Sequence, residues 1–108
     1  MALVKIGVEA FTVSTSVLSP DDGSVINGET LLAIFHHRSG GNIYQNISSD
    51  PTAGGATGDH PQYAEDMWKV WGYDNIKNFR MIKQTGADDA VVHVQYYGTG
   101  ATSARAKS

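Results

Sequence analysis

Three features of the sequence predict an all-β fold, an antiparallel β-sandwich of jelly-roll-like type with about seven or eight strands. Apolar side chains recur with period two in several short runs. Turn chemistry separates those runs at short intervals. No amphipathic window of helical length stands out, which argues against an open α/β sheet.

The clearest pattern runs from Met67 to Tyr97 and reads as three strands joined by two turns. Side chains alternate faces along a strand, so Val92, Val94 and Tyr96 share one apolar face of the segment Ala90–Tyr97. Val91, His93, Gln95 and Tyr97 share the other, a mixed face suited to water or to a partner. Gly86-Ala87-Asp88-Asp89 supplies the turn before it. Upstream, Phe79, Met81 and Lys83 alternate with Arg80, Ile82 and Gln84. Met67, Lys69 and Trp71 alternate with Trp68 and Val70, and Gly72-Tyr73-Asp74-Asn75 ends that run. A tight helical turn or loop is expected over Asn75–Asn78.

From the N-terminus, Val4, Ile6, Val8 and Ala10 form a period-two strand that Phe11 and Val13 continue on the opposite parity. A one-residue shift of this kind predicts a bulge near Ala10-Phe11, or a strand that passes from one sheet to another. Ser19-Pro20-Asp21-Asp22-Gly23-Ser24 is a turn, and Asn27-Gly28 is a hairpin signal. Glu29–His37 reads as a strand with Leu32, Ile34 and His36 on one side and Leu31, Ala33, Phe35 and His37 on the other. Both sides are mostly apolar, so this strand is expected to be central and covered twice. After the turn Arg38-Ser39-Gly40-Gly41 comes a short strand within Asn42–Ser48. Shared phase assigns Val4, Ile6, Val8, Leu32, Ile34, Trp68, Val70, Phe79, Met81, Val92, Val94 and Tyr96 to the interior.

Ser49–Glu65 has no periodicity and holds Gly54, Gly55, Gly58, Pro51 and Pro61, so a long loop is expected there, functional or poorly ordered. Residues 1–97 are read as a single β-sandwich domain. Residues 98–108 carry no large apolar side chain and are read as an extended C-terminal tail.

Composition narrows the function classes. The chain has 108 residues, of which 41% are hydrophobic, enough for one core without staples. It has no cysteine, which removes disulfides, thiolate catalysis and cysteine metal sites. A net charge of −3 argues against a phosphate-driven nucleic-acid binder. No apolar run reaches the roughly 18 residues of a membrane span. The first residues enter a strand pattern at once, so no signal peptide is expected.

The candidate constellations are thin. His36 and His37 are adjacent, so a regular strand points them to opposite faces, and His36 would need His60 or His93 to build a metal site. Asp21-Asp22-Gly23-Ser24 with Glu29 lacks the alternating oxygen ligands of a calcium loop. Asp59-His60, near Glu65 and Asp66, offers a carboxylate–imidazole pair with no nucleophile beside it. Asn46-Ile47-Ser48 fits a glycosylation sequon, which carries no weight without a signal peptide. Trp68, Trp71, Tyr73, Tyr96 and Tyr97 could form an aromatic platform for a sugar, against the ordinary reading of such residues as core. No enzymatic activity and no cofactor are expected.

The pattern Trp68-x-x-Trp71-Gly72-x-Asp74-Asn75-Ile76-x-Asn78-Phe79-Arg80-x-Ile82, then a turn, then Ala90-Val91-Val92-His93-Val94-Gln95-Tyr96-Tyr97, resembles the end of small virion proteins of tailed bacteriophages. Those are capsid decoration (cement) proteins and related head or tail accessory proteins. The resemblance implies a β-rich, non-enzymatic subunit, assembled in the host cytoplasm and resident in the virion. It implies contact with the major capsid protein or other virion subunits, and a homo-oligomer, trimer or dimer. The interface candidates are Phe35, His37, His60, Tyr63, Trp71, Tyr73, His93, Tyr97, Arg105 and Lys107. The alternative is a carbohydrate-binding module or tail-associated lectin whose partner is a glycan. A solvent-facing Trp71 beside Tyr73 in a groove would favour it.

Overall fold

A computed structural model describes residues 3–20, 25–47, 50–55 and 58–99. Two antiparallel sheets face each other. The larger holds, in order, β1 (Val4–Val13), β7 (Ala90–Gly98), β2 (Thr30–Ser39) and β5 (Met67–Trp71). The smaller holds β4 (His60–Gln62), β3 (Ile43–Asn46) and β6 (Arg80–Lys83). The helical turn expected at Asn75–Asn78 is α1 (Tyr73–Lys77), which carries the chain from β5 across to β6 and buries Ile76.

After β1 the chain leaves the larger sheet. Ser14 O accepts from Lys83 N at 3.0 Å, and Leu18 and Met81 exchange two backbone hydrogen bonds of 2.9 Å. The segment therefore lies along β6 in the smaller sheet. Counted as a strand, it completes a nested pairing: β1 with β7, the Leu18 segment with β6, β2 with β5, and β3 with β4. A long hairpin wrapped into two sheets in this way is the jelly-roll arrangement. The sequence fold class holds.

Cross-strand register sets the inner face of the larger sheet. One row runs Gly7, Tyr96, Ala33, Val70, and the next Glu9, Val94, Phe35, Trp68. A third runs Phe11, Val92, His37. Phe35 lies at the centre. Trp68 stacks on it with ring centroids 5.4 Å apart, and Phe79 reaches over from the other layer at 4.4 Å. Tyr96 is fully buried except that its hydroxyl donates to Glu9 Oε1 at 2.6 Å. Its phenol tip thus finds a partner at the sandwich rim, the usual arrangement for a buried tyrosine.

The expected phase fails in the first two strands. Val4 and Val8 are exposed, while Phe11 and Val13 are buried. The register of β1 against β7 shifts between Lys5 and Gly7, so the bulge falls there and not near Ala10-Phe11. Everything after it changes face. In β2 the inward set is Ala33, Phe35 and His37, all without exposure, and Leu32 and Ile34 point outward. Parity cannot choose a face when both are apolar. The large Phe35 ring, with two aromatic neighbours to fill against, settles it. β2 is central in its sheet, yet no second layer covers its outer side among the described residues.

The loop expected over Ser49–Glu65 contains β4, and its described parts are tied down. Asp59 accepts from Thr52 N at 2.9 Å and from Asn46 Nδ2 at 2.9 Å. Asp50 pairs with Arg80 at 2.8 Å, and Thr85 N donates to Ala53 O at 2.9 Å. Replacing Asp59 by alanine removes the acceptor for the Thr52 amide, for Asn46 Nδ2 and for the Thr52 hydroxyl, so a loss of about 1–2 kcal/mol is expected. Faster hydrogen exchange at the Thr52 amide is the measurement, and unchanged protection would mean that the loop holds itself by other contacts. Gly98, the first residue of the expected tail, is the last residue of β7. Gly98 pairs with both Val4 and Thr30, and a Cβ there would lie 2.2 Å from Glu29 O. Arg105 and Lys107 lie outside the described residues.

Candidate functional site

Among the described residues no layer covers the outer face of the larger sheet, and register assembles it in three rows. The first is Ala10, His93, His36, Met67. The second is Val8, Gln95, Ile34, Lys69. The third is Lys5, Tyr97, Leu32, Trp71. Directly opposed residues on one face are contact neighbours, so each row is a continuous strip across four strands. His36 and His93 meet at the centre, and Tyr97 Oη donates to Gln95 Oε1 at 2.7 Å.

Large apolar side chains stand exposed at the margins of this face. Val8 is 57% exposed, Met67 65% and Trp71 56%. Leu32, between Tyr97 and Trp71 in its row, is buried. Two open depressions mark the surface. One lies between β1 and β7 at Val8, Ala10, His93 and Gln95. The other is bounded by Ile34, His36, Arg38 and Met67.

Of the expected interface residues, Trp71, His93 and Tyr97 come together here. Phe35 and His37 do not: both are fully buried on the inner face, so neither presents a surface. The His37 ring is spent on structure, with Nε2 donating to Gly41 O at 2.6 Å. A carbonyl only accepts, so that nitrogen carries the ring proton. Its Nδ1 is buried without a hydrogen-bond partner. Tyr73 packs against the core, with the Lys77 ammonium 5.1 Å from its ring centroid. His60 is exposed on β4 in the other sheet, and Tyr63 is exposed in the turn that follows. Sequence reading missed Val8, Ile34, His36, Met67, Lys5, Arg38 and Lys69 as members of this face. The signal was present in the bulk of Phe35, which fixes the phase of β2 and through it the rows.

The other constellations are absorbed by the fold. Among the described residues no group of three or more His, Asp or Glu side chains is placed to hold a metal ion. Asp59 faces Thr52 and Asn46. Asn46 is 8% exposed, and its Nδ2 donates to Gly58 O and Asp59 Oδ1, so the sequon nitrogen is enclosed. Trp68 and Tyr96 belong to the core, which reduces the aromatic platform to Trp71 and Tyr97. Compared with protein-family models, curated proteins and solved structures, the chain matches none.

Proposed function

We propose that this chain is a non-catalytic structural subunit that decorates a tailed-phage capsid, a cement protein seated through the outer face of its four-stranded sheet. The observation that carries the reading is that face: three continuous rows with Val8, Met67 and Trp71 exposed along its margins. Contiguous exposed apolar surface marks an interaction site. The fold supports the reading at the level of class, since jelly rolls are common in viral shell proteins. The residues that resemble phage virion proteins include Trp68, Ile76, Phe79, Val92, Val94 and Tyr96, all of them packed in the core or against it. That resemblance is a pattern of shape and spacing, and it carries no catalytic signature. In this reading the partner is the major capsid protein or a neighbouring virion subunit. A closed homo-oligomer, trimer or dimer, belongs to the same reading.

The test is the protein content of density-purified virions of the source phage. The expected result is a fixed ratio of this chain to the major shell protein, with the chain released before the shell opens on heating. Absence from the particles would overturn the proposal. Trp71→Ala should lower occupancy on the shell by about 2 kcal/mol, as truncation of an aromatic anchor does. It should leave the melting temperature nearly unchanged, because the side chain is exposed. One observation favours a second reading, a lectin: Trp71 does face solvent, with Tyr97 two strands away across Leu32. The groove with Tyr73 that this reading needs is not formed among the described residues, as Tyr73 packs inward. Binding on a glycan array that Trp71→Ala abolishes would move the assignment to that class.

A further inference from the structure

On the outer face of the four-stranded sheet the described cations stand apart from carboxylates. Lys5 and Lys69 occupy outward positions of the four-stranded sheet, and Arg38 lines the depression beside His36 and His93. All three side chains are exposed, and none forms an ion pair among the described residues. The described cations elsewhere are all paired: Lys77 with Asp74, Arg80 with Asp50, Lys83 with Asp89. No carboxylate takes an outward position in the three rows, although the chain as a whole has a net charge of −3. Glu9 borders the depression between β1 and β7 but belongs to the inner rows, where it accepts from the Tyr96 hydroxyl.

We infer that the outer face of the four-stranded sheet docks an acidic protein surface, with Lys5, Arg38 and Lys69 meeting carboxylates around an apolar contact made by Val8, Ile34, Met67 and Trp71. This rests on the shell-binding reading and names the chemistry of the patch on the shell. Charge complementarity selects the occupant. Two copies docked face to face would set cations against cations, and like-charge juxtaposition suppresses a partner. A duplex fits less well, since the chain has a net charge of −3 and the described residues of this face offer three cations. Lysines on edge strands also serve to block edge-to-edge pairing. That role fits Lys5 on β1 and Lys69 on β5. It leaves unexplained both Arg38 on the central β2 and the lack of a carboxylate in the three outward rows of described residues.

The experiment compares the wild-type chain with two variants, Lys5→Glu/Arg38→Glu/Lys69→Glu and the matching triple glutamine variant, on virion shells stripped of the chain. Exposed positions should leave all three proteins with similar melting curves. The glutamine variant guards against a folding defect from charge reversal. The expected result is a loss of at least about tenfold in shell affinity for the glutamate variant, a smaller loss for glutamine, and weakening of the wild type by added salt. Equal shell binding by folded wild type and glutamate variant overturns the inference and leaves the shell reading standing. A second arm titrates labelled wild type with a short peptide alternating Glu and Leu, and separately with single-stranded DNA. If the wild type ignores stripped shells yet the acidic peptide shifts the amides of the outer rows, the shell reading fails and the acidic-surface inference holds. Shifts with DNA alone, or none with the peptide, overturn the inference.

Discussion

Phe35→Ala is expected to cost about 3–5 kcal/mol, the usual range for deleting a buried phenylalanine ring. Small domains have only about 5–15 kcal/mol in total, so this one change removes a large share. The ring has no exposure, lies between Val94 and Trp68 in its row, and meets Phe79 from the opposite layer. Its removal opens a cavity that touches both sheets, and the stacked Trp68 cannot collapse into it without leaving β5. Urea unfolding should show a lower midpoint with little change in slope, and the melting temperature should fall by roughly 10–40 °C. A loss below about 1 kcal/mol would mean that the ring is not the centre of the core. Unchanged stability with lost partner binding would return Phe35 to the interface role that its sequence context suggested.

How far the sequence revealed the fold follows from where its two faces differ. In β7 the inward Val92, Val94 and Tyr96 contrast with the outward His93 and Gln95, and both sets lie where alternation places them. In β2 the contrast is missing, because Leu32 and Ile34 are as apolar as Ala33 and Phe35. Alternation is silent there, and the choice follows from the bulk of Phe35, whose ring packs against Trp68 and Phe79. β1 fails for a different reason. One residue, Ile6, absorbs a bulge, and a single extra residue inverts every later side chain. β4 escaped because its three residues include Pro61, which sheets admit only at an edge, the place β4 holds. The candidate site was legible to the extent that it depended on single strands. Trp71, His93 and Tyr97 could be named from alternation. The rows that join them to Lys5, His36, Met67 and Lys69 exist only through register across four strands.

Gly40→Ala is expected to cost about 2–6 kcal/mol, combining backbone strain of about 1–3 with overpacking of about 1–3. Gly40 has φ +94°, a region side chains rarely adopt. A Cβ built there would stand 2.1 Å from Asp89 O and 2.6 Å from Ala90 Cα. Both atoms are backbone, so no flexible side chain can swing away. The contact matters because two sheet crossings meet at this point: the β2–β3 connection and the β6–β7 connection. Gly41 N donates to Asp88 O at 3.2 Å, Gly41 O accepts from His37, and Lys83 pairs with Asp89 at 2.8 Å on the far side. Pushing the two connections apart therefore strains the His37 hydrogen bond and loosens the β2–β7 pairing beside it. Gly28→Ala is the control. Its φ is not positive and a Cβ there meets nothing within 4 Å, so a change within about 0.5 kcal/mol is expected. Thermal melts of the two variants, with hydrogen exchange at the Gly41 amide, read the difference. Comparable melting temperatures for both would show that the crossings can separate without cost, and that the sandwich is not pinned at this end.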